Sequence, residues 1–339
     1  MNRLLTILSL SLLIFSSCST DFEINGDWQD ITIVYGLMNQ NDSNTYLKIN
    51  KAFLGDGDIL MMAQNEDSCE YQHPLEVKIE EYNSNNNLVK TFYLDTTSVY
   101  NKEPGLFYYP KQVLYKALTF NQLNIDNTYK LVIHNPSSGN TFYGQTILVS
   151  PFTIEIPKPS QKIMGFSTEG TGKVRWKTAK NGRRYQLMIR FNYKEVPVSG
   201  GDTAYKSVDW LFPSYKSAYL EGNEEMEMPY SNPYFYDLLR SKITANPDVN
   251  RFIGKKGHSE LDFGAIEFIF SVASDELSTF LDVYEPSTGI VQEKPEYTNL
   301  SSVNDSKVLG IFSSRFQVFR SYKMEDLTKD RIKALNLGF

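Results

Sequence analysis

The segment "YQLMIRFNY" (185–193) places Tyr185, Leu187, Ile189, Phe191 and Tyr193 at every second position. That is the period of a β-strand, whose side chains point alternately to opposite faces. The same alternation recurs in "YLKINKAFL" (46–54) through Leu47, Ile49 and Phe53, and in "LEVKIEE" (75–81) through Leu75, Val77 and Ile79. It returns in "YKLVIHN" (129–135) and "AIEFIFSVA" (265–273). Asn-rich clusters such as "NQNDSN" and "NSNNN" separate the early runs and are turn signals. Before about residue 230 no sustained helical period appears. Strands with one apolar and one wet face pack as antiparallel sandwiches.

A chain of 339 residues exceeds one comfortable core. The proline-rich "SPFTIEIPKPS" (150–160) marks the break, because each proline removes a ladder donor. The expectation is a mainly β chain of two β-sandwich domains, 29–150 and 151–339, the second carrying helical insertions. Those helices are read at 231–243, with Asn232 as N-cap and Pro233 first, and at 274–284, with Ser274 as N-cap. In the latter, Leu277, Phe280, Leu281 and Tyr284 make one apolar stripe, expected to pack on the sandwich. A third helix is read at roughly 324–336.

"LNIDNTYKL" (123–131) sets Leu123 six residues before Tyr129. This resembles the tyrosine corner of immunoglobulin-like and fibronectin type III sandwiches, where a Tyr hydroxyl bonds upstream backbone at a strand entry. It implies a structural role for Tyr129.

The N-terminus supplies an address. Arg3 is followed by the apolar "LLTILSLSLLIF" (4–15), too short for a bilayer of ~30 Å, and Ser16 and Ser17 lead into Cys18. This resembles the signal peptide and lipobox of bacterial lipoproteins, with 1–17 removed, Cys18 lipidated and 18–28 as linker. Acyl chains buried at about 0.8 kcal/mol per CH₂ would tether the chain to a membrane. Asp21 and Glu23 resemble the surface-export signal of Bacteroidota lipoproteins. With Cys18 acylated, Cys69 has no disulfide partner within the chain.

The segments "DITIVYGLMNQNDSNTYLKINKAFLGDGD" (30–58), "YNKEPGLFYYPKQVLYK" (100–116) and "YTNLSSVNDSKVLGIFSS" (297–314) carry a second resemblance. Together they are similar to an uncharacterised Bacteroidota outer-membrane or surface lipoprotein family. It has a Thr-Asn-Leu/Ile and a later Gly-Ile/Val-Phe pattern, here Thr298-Asn299-Leu300 and Gly310-Ile311-Phe312. The resemblance implies a lipid-anchored, outer-membrane or cell-surface protein, in some cases associated with outer-membrane receptors, and brings no catalytic residues. Gly310 is read as a close backbone approach or unusual φ, and Phe312 as core.

Chemistry is sparse. The net charge of −6 and the lack of a basic stripe argue against nucleic acid; "GKKGH" (254–258) and "NGRR" (181–184) read as solvated turns. His73, His134 and His258 lie far apart, and "GDGD" (55–58) lacks a calcium-loop spacing, so neither metal nor other cofactor is expected. Cys69 near His73 invites a nucleophilic pair, but Asp67 and Glu70 oppose a thiolate, and a passive thiol is expected. Aromatics are the remaining signal. Tyr108, Tyr109, Tyr234 and Tyr236 are candidates for a surface binding glycan or peptide. The leading reading is therefore a non-catalytic, lipid-anchored envelope protein that binds a ligand or assists an outer-membrane receptor. A structural adhesion or spacer protein and a secreted hydrolase stay open beside it.

Overall fold

The computed structural model describes residues 29–54, 59–255, 264–285, 296–304 and 306–339. The expected signal peptide, Cys18 with its linker, and the "GDGD" turn lie outside the described residues.

The molecule is mainly β, as the alternation requires. Its first half contains β1 (Gln29–Met38), β2 (Asn44–Leu54), β3 (Glu76–Tyr82), β4 (Leu88–Val99), β5 (Gln112–Leu118), β6 (Thr128–His134) and β7 (Thr141–Ile147). Two short helices, α1 (Ile59–Ala63) and α2 (Glu66–Cys69), lie between β2 and β3, where no helical period is legible. β4 belongs to two layers. Its residues 88–94 pair with β3, and its residues 95–99 pair with β5. One sheet runs through β1, β2, β5 and the end of β4; the facing one runs through the start of β4, β3, β6 and β7. Val34, Leu47 and Ile49 of the first meet Ile79, Leu131 and Phe142 of the second in a dry core.

The second half has β8 (Thr153–Ile156), β9 (Ile163–Met164), β10 (Thr171–Lys177), β11 (Arg184–Pro197), β12 (Ala204–Leu211), β13 (Tyr215–Lys216) and β14 (Glu225–Ser231). Then come α3 (Asn232–Lys242), β15 (Val249–Ile253), β16 (Ile266–Ala273) and α4 (Asp275–Tyr284). The small sheet β14-β10-β8 faces the sheet built on β11 and β16. Between them Trp176 packs edge-on against Phe270 at 4.7 Å and tilted on Tyr185 at 5.7 Å. β8 is an edge strand, the one position that tolerates the proline that follows it. α3 buries Phe235, Tyr236, Leu238 and Leu239; its N-cap is Ser231, one residue before the expected Asn232. Ser274 caps α4 as read, accepting from the Leu277 amide.

The chain then returns to the first sandwich. β17 (Leu300–Ser302) pairs with β7, and β18 (Val308–Met324) does two jobs. Its residues 308–314 run parallel to β1, and 315–322 run antiparallel to β16. Leu300, Val308 and Phe312 thus belong to the first core although they follow the whole second unit in sequence. The Thr298-Asn299-Leu300 and Gly310-Ile311-Phe312 segments meet here. The Asn299 side chain donates to the Phe312 carbonyl at 2.6 Å and accepts from the Phe312 amide at 3.0 Å, standing in for a strand neighbour. Gly310 has φ +102°, and a Cβ there would sit 2.0 Å from the Val34 carbonyl oxygen. Phe312 is fully buried.

α5 (Asp326–Lys333) closes the chain, shorter than the expected 324–336. One sequence expectation is corrected outright: Arg184 is no solvated turn residue. It is buried at the start of β11, donating to Glu285 at 2.7 Å, to Ser214 at 3.0 Å and to Asp282.

Candidate functional site

β1 has apolar residues on both faces, whereas β2 beside it turns Lys48 and Asn50 away from the core. Val34 and Met38 enter the core, while Ile33, Tyr35 and Leu37 point to the opposite face. On that face β2 sets Lys48 across from Tyr35 and Asn50 across from Ile33. A strand apolar on both sides needs cover on both sides. Two segments supply part of it. The β2–β3 connection brings α2 back over the sheet, held by Asn50 Nδ2 donating to the Cys69 carbonyl at 3.1 Å. The β4–β5 connection brings Lys102 and Phe107, tied to α1 by the Tyr108 amide donating to the Ala63 carbonyl at 2.8 Å. From the second half, α4 lays Phe280 edge-on to Tyr35 at 6.3 Å.

The cover is incomplete, and it leaves a cleft of about 440 Å³ between Tyr35, Lys48, Asn50, Cys69, Lys102 and Phe107. Tyr35 is 47% exposed and Phe107 54%, so two rings flank an open site. Three ammonium groups border it. Lys51 donates to the Asp67 carbonyl at 2.8 Å and Lys102 to the Tyr108 carbonyl at 2.5 Å. Lys48 is half-buried and has neither hydrogen bond nor ion pair among the described residues. Burial, and then repulsion from Lys102, push its ammonium below the ordinary lysine range, with Glu70 and Cys69 acting the other way. Burial raises the Cys69 thiol, and Glu70 adds to this against the neighbouring lysines. A thiol raised in this way is a poor nucleophile.

The four tyrosines flagged from sequence do not form one surface. Tyr108 and Tyr109 belong to the β4–β5 connection, Tyr234 and Tyr236 to α3. Tyr236 is buried and donates to the Phe166 carbonyl at 2.5 Å. Tyr234 is half-exposed against Trp210. Tyr108 hydrogen-bonds Glu66, which raises the phenol and, together with Lys111, holds the Glu66 carboxyl low. Tyr109 is 47% exposed at the rim of a separate hollow of about 490 Å³. Tyr129 is fully buried: its hydroxyl accepts from the Asn124 amide at 2.6 Å, with the Asn124 carbonyl and Glu81 as acceptors for its proton.

Glu66, Glu80, Glu195 and Glu227 are held below the ordinary carboxyl range. A general acid needs the opposite displacement. Among the described residues no group of three His, Cys, Asp or Glu side chains could hold a metal ion. No helix among them is long and apolar enough to cross a membrane.

Sequence reasoning passed over Tyr35, Lys48, Lys102 and Phe107. The available signal was the doubly apolar "ITIVYGLM" (31–38), which announces a strand covered on both faces.

No protein-family model and no curated protein matches the chain. Among solved structures it is similar to trypsin-activated alpha-2-macroglobulin from Escherichia coli, at 9% identity and a TM-score of 0.16. The match covers 73% of this chain and 14% of that one, so the chain spans a small part of that protein's length. A likeness of that size carries nothing about fold or function.

Proposed function

We propose that this chain is a lipid-anchored cell-envelope protein, tethered through Cys18, that binds a ligand without transforming it. The observation that carries the binding half is the cleft on β1 and β2, where Tyr35 and Phe107 stand open to solvent beside half-buried Lys48. Ligand sites are concave, apolar in the main, and set with a few polar groups. The anchor half rests on Cys18 at the end of a short apolar leader, and outer-membrane or surface display on Asp21 and Glu23.

The test is retention of a glycan and peptide panel by the detergent-solubilised full chain, with Phe107→Ala and Tyr35→Ala as cleft variants. Retention that both variants weaken supports the reading. Retention indifferent to both, or release of a chemically altered ligand, overturns it.

A spacer role is the second reading. It is favoured by β18, which runs unbroken through both sandwiches and joins them as one strand.

A further inference from the structure

We infer that the cleft beside β1 and β2 selects a carboxylate carried on an apolar body, with Lys48 meeting the charge and Tyr35 and Phe107 the body. This rests on the ligand-binding reading above.

The charge pattern is what singles out the site. Elsewhere lysines beside buried structure meet an acid or a ring: Lys111 with Glu66 at 2.6 Å, Lys206 with Glu195 at 2.5 Å and Lys255 with Glu267 at 2.5 Å, while Lys130 lies over Tyr143 and Lys194 over Phe252. Lys51 and Lys102 meet backbone carbonyls instead, and Lys48 meets nothing among the described residues. Glu70, the acid that acts on Lys48, turns a carboxylate oxygen to the Val113 amide at 3.0 Å. A cation drawn part-way out of water without a counter-ion raises the free energy of the empty protein. A ligand that brings the counter-ion removes that cost on binding.

The body follows from the walls. Ile33 and Ala52 form the floor, and the Phe107 ring also lies under the Lys102 ammonium at 5.8 Å. Among the described residues that line the cleft there is no arginine, so it lacks the bidentate fork that serves many phosphate sites. Its volume suits a small molecule or one terminal residue of a longer one.

The experiment is competitive labelling of the full chain in detergent with a sparing dose of an amine-acylating reagent at mildly alkaline pH, read lysine by lysine by mass spectrometry. The probes are 4-phenylbutyrate, its neutral amide, and inorganic phosphate. The expected result is several-fold slower labelling of Lys48 with 4-phenylbutyrate, little change with the amide or phosphate, and unchanged labelling of Lys111. Equal protection by acid and amide overturns the carboxylate inference while leaving a binding cleft. Stronger protection by phosphate overturns it too. Protection by none of them, with Tyr35→Ala and Phe107→Ala also without effect on panel binding, overturns both readings. In Lys48→Gln, whose fold is checked by circular dichroism, intrinsic fluorescence must cease to distinguish acid from amide; if it still separates them, Lys48 is not the charge partner.

Discussion

Tyr129 and Tyr185 perform the same task in the two sandwiches. Each is fully buried where the chain enters a strand, and each hydroxyl accepts a backbone amide upstream, from Asn124 at 2.6 Å and from Ala179 at 2.7 Å. Removing the Tyr185 hydroxyl leaves the buried Ala179 N–H unpaired, and removing the Tyr129 hydroxyl takes a donor from buried Glu81, so Tyr129→Phe and Tyr185→Phe should each cost about 1–3 kcal/mol in denaturant unfolding. Burial, the largest cause, pushes the Tyr185 phenol up to about 12 from 10.0. The unfolded chain then loses this proton first. The Tyr185 contribution to stability is therefore complete below pH 10 and is lost as pH rises towards about 12. Tyr185→Phe should flatten the alkaline fall in melting temperature over that window. Tyr129 was legible because Leu123 and a turn stand before it; Tyr185 follows "TAKNGRR", which reads as a plain polar turn. Gly310 is the other decisive residue. A methyl group there collides with Val34 backbone, beyond the ~1–3 kcal/mol that a strained φ costs. Gly310→Ala should separate β18 from β1, seen as fast amide exchange in both strands.

At the scale of the element, alternation made β2, β3, β6 and β11 readable, because in each one face is buried and the other partly exposed, while β16, buried on both faces, was readable from its apolar run. β1 was harder, since its cover arrives from residues 59–71, 100–110 and 275–284, which no local pattern connects to it. The candidate site is built on that cover, and so it was the least legible part. The stripe on α4 came out divided: Leu277 is buried, whereas Leu281 and Tyr284 are 37% and 42% exposed. Lys48 tests what the β1–β2 face is for. Its half-buried ammonium destabilises the protein most below its lowered folded pKa, and the penalty fades as pH approaches the ordinary 10.5. Lys48→Met should raise the melting temperature at neutral pH, with a gain that shrinks in alkali, while weakening ligand retention. A residue that costs stability where it stands is a mark of function. Arg251 is the contrast. It donates to Glu195 at 2.9 Å, to the Thr244 carbonyl at 2.9 Å and to the Leu337 carbonyl, joining β11, the end of α3 and the chain terminus. Arg251→Ala leaves Glu195 with Lys206 alone and takes a donor from the Thr244 and Leu337 carbonyls, and should cost about 1–3 kcal/mol in denaturant unfolding, with early proteolysis after α5.

For the whole molecule, the mainly β, sandwich-type fold was readable from the period, but the return of residues 300–314, expected in the second unit, to the first core was not. Nothing local in "KVLGIFSSRFQVF" (307–319) says that its first half pairs with β1 and its second with β16. Around the seam, Ser314 Oγ donates to the Ile147 carbonyl at 2.6 Å and Asn181 to the Leu148 carbonyl at 3.0 Å. A body joined through one strand transmits its position rigidly, which suits a protein held at one end and loaded at another. That end is the point on which the account turns. Envelope fractionation of the native protein and of Cys18→Ser measures it directly. The wild-type chain should sediment with membranes and carry acyl mass on its N-terminal peptide, and the variant should be released into the soluble fraction. A wild-type protein free of lipid, or a variant that stays with the membrane, would contradict it.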